Sequence, residues 1–182
     1  MSALAQPNPP LTDGRISLAP LTQADLADAL AMCDDEETRR FTFLPTDATA
    51  EWISNWLRRY EEGWADASRA GFSIRDAQAN AYLGFAAIVR LDLPNRQGEI
   101  GYVVSPEARG RGAASAAVEI LTRWGFDELG LLRLELRIDT DNPASARVAE
   151  RAGYRLDGVL RSLAFKDGRR TDTAVWSRLA SD

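Results

Sequence analysis

Two hydrophobic periods alternate along the chain and sort it into helices and strands. The opening residues, Met1 to Asp13, are rich in proline and carry neither period. They read as a mobile arm (1–13) ahead of a single domain (14–182). Ile16 to Ala19 is a short strand. Thr22 caps a helix whose first turn carries Asp25, close to a capping box, with Leu26, Leu30 and Met32 on its apolar side. Glu36 to Pro45 reads as a connection. From Thr49, residues Trp52, Ile53, Trp56, Leu57 and Tyr60 recur at helical spacing until Gly63.

Beyond that helix the period shortens. Phe72 to Asp76, Tyr82 to Leu91 and Glu99 to Val104 read as strands of an antiparallel meander, with Pro94 to Gly98 as a turn. The unbroken apolar run Phe85, Ala86, Ala87, Ile88, Val89 indicates burial on both faces. Ala113 to Leu129 is a long helix with a stripe of Ala117, Val118, Leu121, Trp124 and Leu129, closed by Gly130. Leu134 to Ile138 alternates as a strand, and Asn142 and Pro143 begin a short helix to Arg151. Two last strands, Tyr154 to Leu163 and Thr171 to Leu179, flank a turn at Lys166 to Arg169. The order is that of an α+β fold without internal repeats.

Composition narrows the chemistry. The 182 residues are 45% hydrophobic and 27% charged, the balance of one soluble globular domain. No apolar run approaches the length needed to cross a bilayer, and MSALAQPNPP lacks the basic and apolar regions of a signal peptide, so the expected location is the cytoplasm, with no membrane partner. A net charge of -5 argues against a nucleic-acid partner and leans toward cationic ligands such as amines. Cys33 is the lone cysteine and there is no histidine. Disulfides, CxxC sites, Ser-His-Asp triads, histidine bases and most zinc and iron sites are excluded, and no metal is expected. Lys166 is the lone lysine, which codon bias explains.

One stretch carries candidate chemistry. Val103-Val104-Ser105-Pro106-Glu107-Ala108-Arg109-Gly110-Arg111-Gly112-Ala113-Ala114 runs from a strand into the long helix. Glycines there let successive main-chain amides converge at the positive end of a helix, a geometry that binds diphosphate; a plain tight turn is the competing account. The loop is neither a Walker loop nor a Rossmann fingerprint.

Arg109-x-x-Gly112-x-Ala114 resembles the Arg/Gln-x-x-Gly-x-Gly/Ala signature of the GNAT superfamily of N-acetyltransferases. The likeness extends to Glu99-Ile100-Gly101-Tyr102, to Trp124-Gly125-Phe126, to Asp141-Asn142-Pro143-Ala144-Ser145 and on through Tyr154, and to Asp35-Glu36-Glu37-Thr38-Arg39-Arg40-Phe41, all similar to the RimJ/RimL-type branch. It spans about Ile16 to Leu179. The resemblance implies a central mixed, mostly antiparallel sheet, splayed in the middle and flanked by about four helices. Acetyl-CoA is the implied cosubstrate, entering between the strand ending at Val103 and Val104 and its neighbour beginning near Leu134. Main-chain groups of Val103 and Val104 would hold the pantetheine arm and polarise the thioester. Amides of Arg109, Gly110, Arg111, Gly112, Ala113 and Ala114 would hold the diphosphate, and Asn142 and Ser145 would line the thioester end.

Direct transfer to an amine needs a base, and an acid for the departing thiolate. Glu99 is the candidate base, with a salt-bridged strand-end acid or a water chain as alternatives. The tyrosine that many superfamily members place seven residues after the motif asparagine is Ala149 here, so Ser145 becomes the candidate acid. Ala164 stands where RimL-like proteins can carry an acidic residue. Phe41, Phe43 and Tyr102 are candidate substrate contacts, with core packing the alternative for Tyr102; Trp52 and Trp56 sit at core spacing. The acceptor is a primary amine, either a protein N-terminus or a small molecule. A non-catalytic acyl-CoA sensor and an interaction domain with a vestigial loop are the other readings. A homodimer is implied by the resemblance alone.

Overall fold

A computed structural model describes residues 3–45 and 47–182. An eight-stranded sheet spans the molecule in the order β1-β2-β3-β4-β5-β6-β8-β7. Its strands are β1 (Leu11–Thr12), β2 (Ile16–Pro20), β3 (Ala70–Asp76), β4 (Tyr82–Asp92), β5 (Gln97–Val104), β6 (Arg133–Asp139), β7 (Arg155–Lys166) and β8 (Arg169–Leu179). Every neighbouring pair is antiparallel except β5 and β6, which run parallel. The meander β3-β4-β5 is the one the period-2 stretches predict.

Among the described residues five α-helices flank the sheet: α1 (Leu26–Ala31), α2 (Glu36–Phe41), α3 (Ala50–Asp66), α4 (Ala113–Asp127) and α5 (Pro143–Arg151). Cores form on both faces. Leu134, Leu136 and Ile138 of β6 pack in one core with Val118, Leu121 and Trp124 of α4 and Ala149 of α5. The other core holds Leu21, Ile53, Leu57 and Tyr60. Strand β4 serves both: Ala86 and Ile88 join the first core and Ala87 the second, as the unbroken apolar run requires. Trp64, Phe72 and Trp124 meet edge-on or tilted at centroid distances of 5.3–5.9 Å, so α3 and α4 are pinned through β3.

Several boundaries differ from the sequence reading, and three of them, at helices, have a clear physical reason. The capping box at Thr22 is present, with Asp25 accepting the Thr22 N–H at 2.9 Å, yet the helix begins and ends in 3₁₀ turns around α1. The segment read as a connection contains α2. Asp35 caps it by accepting the Thr38 N–H at 2.7 Å, and its acidic first turn and basic last turn suit the helix dipole. Six residues are too few to show a period, so only these end signals could have disclosed it. Helix α4 stops at Asp127, with Gly130 turning left-handed three residues later.

The stretch read as an arm is tied down where it is described. Leu11–Thr12 pairs with β2, and the Leu4 N–H donates to the Trp64 carbonyl at 2.8 Å. Met1 and Ser2 lie outside the described residues. Among the described residues no helix is long and apolar enough to cross a membrane.

Candidate active site

The parallel pair β5 and β6 is joined over only three register pairs, from Gln97↔Arg133 to Glu99↔Glu135. Past Glu99 the strands part. Strand β5 keeps β4 on one side to Val104, so its alternate main-chain groups face an open gap. On the far side of β5, Gly84 has φ +146, and a Cβ there would lie 2.2 Å from the Val103 carbonyl oxygen; only glycine lets β4 follow β5 to this end.

Helix α4 begins where the gap opens. Gly110 and Gly112 adopt φ +74 and +83, and almost nothing surrounds their hypothetical Cβ positions, so backbone conformation, rather than crowding, is what demands glycine. Gly112 is the N-cap, no side chain caps the helix, and its first turn holds no acidic residue. By contrast, Thr49 caps α3 and Asn142 caps α5. The 15-residue α4 therefore presents its free N–H groups and about half a positive charge to whatever fills the gap.

A cleft of about 320 Å³ follows, lined by Val104, Gly110, Gly112 and Ala114 at one end and by Tyr102 and Ser145 within. Asn142 also lines it, while its Oδ1 accepts the Ser145 N–H at 3.0 Å and so orients α5. Among the described residues the buried Tyr102 hydroxyl has no close hydrogen-bond partner; burial pushes its pKa up to about 12, opposed by the Ser145 side chain beside it. Arg147 and Arg151, one turn apart on α5, add cationic side chains to the wall.

The Arg109 side chain serves another purpose. It is ion-paired with Asp35, with Glu37 at 2.9 Å, and donates to Thr38 Oγ1 at 3.0 Å, so it binds the N-terminus of α2 to the glycine loop. Its Nε also donates to the Val104 carbonyl at 3.3 Å, which is thereby already engaged. The guanidinium holds the Asp35 carboxyl down to about 2.

A second cavity of about 460 Å³ opens beside the first, and Phe41 and Thr42 line both. Glu99 lies in it, ion-paired to Arg90 at 3.2 Å and Arg137 at 3.4 Å. Burial raises the Glu99 pKa, with the two guanidinium groups opposing. Ala164 lines this cavity, and Lys166 reaches across to donate from Nζ to the Thr42 carbonyl at 2.5 Å.

An acetyltransferase (GNAT) domain family matches residues 15–155. The chain belongs to this family. It is a GNAT N-acetyltransferase. It is 27% identical to an uncharacterized N-acetyltransferase, YoaA, of Bacillus subtilis (strain 168), over 93% of this chain and 96% of that protein. It is 26% identical to spermidine N(1)-acetyltransferase of Escherichia coli (strain K12), over 85% and 80%. The structure of RimL, a ribosomal L7/L12 alpha-N-protein acetyltransferase solved with coenzyme A, superposes with a TM-score of 0.84 at 17% identity, covering 93% of this chain and 96% of that one.

On this GNAT framework the residues singled out in the sequence separate into two cavities. Val103, Val104, Arg109, Gly110, Gly112, Ala114, Asn142, Ser145 and Tyr102 line the first; Glu99 and Phe43 line the second; Phe41 lines both. Arg111 is exposed and Ala113 is packed in the core, so neither side chain enters the cleft and only their main chain belongs to the loop. Trp52 and Trp56 line neither cavity; Trp56 packs edge-on against Tyr60 and Phe85, as core spacing implies. Ala149 is fully buried in the core, leaving the cleft's tyrosine to β5. Sequence reading missed Arg147, Arg151 and Asp139. Of these, only the i, i+4 spacing of the two arginines offered a signal.

Proposed function

We propose that this GNAT N-acetyltransferase passes an acetyl group directly from acetyl-CoA to a primary amine held in the second cavity. The observation that carries this reading is the uncapped N-terminus of α4, opening through Gly110 and Gly112 into a gap between unpaired strand edges. The residues present suit the coenzyme: loop amides for a diphosphate, Arg147 and Arg151 for further phosphate charge, and the free edge of β5 for an amide-bearing arm. Bound there, acetyl-CoA would supply an acetyl group activated as a thioester.

The chain's own groups handle the protons. Glu99, in the cavity that shares Phe41 and Thr42 with the cleft, accepts the proton that the ammonium form of the acceptor must lose, directly or through water. Tyr102 and Ser145 offer hydroxyls to the departing thiolate, and a tyrosine with so high a pKa stays protonated at neutral pH. An acid on β5 would thus replace the one that Ala149 lacks. The acceptor is a protein N-terminal α-amine or a small amine, both chemistries being named among the relatives.

Calorimetry with acetyl-CoA, followed by thiol release with a panel of amines, tests this reading. Binding and release are expected, and Tyr102→Phe should lower kcat by about 10²-fold or more with coenzyme affinity retained. Binding without release from any amine would leave an acyl-CoA sensor, and absence of binding would remove the cradle itself. We also assign the chain a homodimer through β7, whose exposed Leu156, Val159, Leu160 and Phe165 lie on the last strand of the sheet.

A further inference from the structure

The second cavity is lined by charges of both signs. Two half-buried carboxylates line it: Glu99 at the fork of the sheet, paired with Arg90 and Arg137, and Asp139 farther along β6, whose Oδ1 accepts the Asp141 N–H at 2.8 Å. Among the described residues, Asp139 has no cationic side chain within 4.0 Å. Arg40, Lys166 and Arg169 also line the cavity, with Asp141 and Asp167. Arg40 and Arg169 share one carboxylate, Asp141, at 3.9 and 3.5 Å. Half-buried Lys166 has no carboxylate within that limit among the described residues, and a neutral carbonyl is its hydrogen-bond partner. A cation withdrawn from water and left with a neutral partner favours a bound anion. A polyamine would place a second positive charge against these three side chains, where Asp141 is already shared by two arginines, Asp167 is the other carboxylate, and Ala164 adds none.

We infer that the acceptor is an amine that also carries an anionic group, a carboxylate or a phosphate, its nitrogen directed to Glu99 and its anion to Lys166. This rests on the transferase reading above. In the transfer, the nitrogen–carbon bond forms as the carbon–sulfur bond breaks. The amine's proton goes to Glu99, directly or through water, and the thiolate takes one from the hydroxyl pair. Selectivity comes from charge on the rim of the pocket, so it belongs in the acceptor KM.

Thiol release is measured with matched acceptors: Ser-Asp-Ala-amide against Ser-Asn-Ala-amide, phosphoethanolamine against ethanolamine, and spermidine. At least one anionic acceptor should exceed its neutral partner by about tenfold or more in kcat/KM, and spermidine should be the poorest. The pair that shows the gap identifies carboxylate or phosphate. Lys166→Met should shrink that gap and Lys166→Glu should close or invert it, through acceptor KM and with coenzyme affinity unchanged. Spermidine or the neutral amines matching the anionic ones, or indifference of the gap to both Lys166 variants, overturns the inference while leaving the transferase intact. Release with no acceptor at all, despite coenzyme binding, overturns both.

Discussion

Glu99 and Tyr102 sit three residues apart on β5 and face different cavities, one suited to taking a proton and the other to giving one. Strand geometry makes this separation: an odd spacing points the two side chains to opposite faces of the sheet. The Glu99 carboxylate must be ionised to act as a base, and burial raises its pKa. The acid limb of the kcat/KM profile is therefore expected above the ordinary glutamate range, activity falling as pH drops through it. Glu99→Gln should lose that limb and lower turnover at neutral pH, with recovery at high pH where the amine deprotonates unaided. A wild-type profile unchanged by the substitution would assign the task to water. The glutamate was legible in the sequence as a candidate. The tyrosine was legible as a candidate substrate contact or a core residue, because an aromatic ring in an apolar strand looks like core, and its unpartnered hydroxyl beside the cleft is what supports the proposed acid role.

At the scale of elements, the short helix α2 cannot stand alone, since six residues scarcely cover the cost of nucleation. It persists through its Asp35 cap and the Arg109 ion pairs, and in doing so it forms a wall of both cavities. The Asp35 pKa of about 2 lies below its ordinary value of 3.8. Its stabilisation is thus complete above about pH 4 and is lost as pH falls toward 2. Asp35→Asn should cost about 1 kcal/mol in chemical denaturation at pH 7, allowing for solvent screening, and almost nothing near pH 2. Periodicity revealed the long α3 and α4 and the strands of the meander, because each buries a face against the sheet. It could not reveal α2, which is held by a guanidinium 71 and 72 residues away from its partners in the chain, nor the direction of that Arg109 side chain.

For the whole molecule, strand order decides what is left exposed. The sheet ends on β7, a 12-residue strand bent by register shifts near Gly158 and Ala164 and paired on one edge alone. Leu156, Val159 and Leu160 are 51%, 47% and 45% exposed, an unusual concentration for a strand with a free edge. Light scattering should find a dimer, and Val159→Arg with Leu160→Arg should yield a folded monomer; a monomeric wild type would refute the assignment. Nothing in the sequence pattern disclosed this edge, because an apolar residue facing a partner chain is written like one facing a core.

The short ladder between β5 and β6 has a mechanical consequence. Five strands stand to one side of that seam and three to the other, and main-chain bonding across it stops after Glu99↔Glu135. A guest lodged along the opening would restore donors and acceptors that the sheet itself gave up. Occupancy would then stitch the two halves together, so that the enzyme is stiffest when loaded and loosest between turnovers.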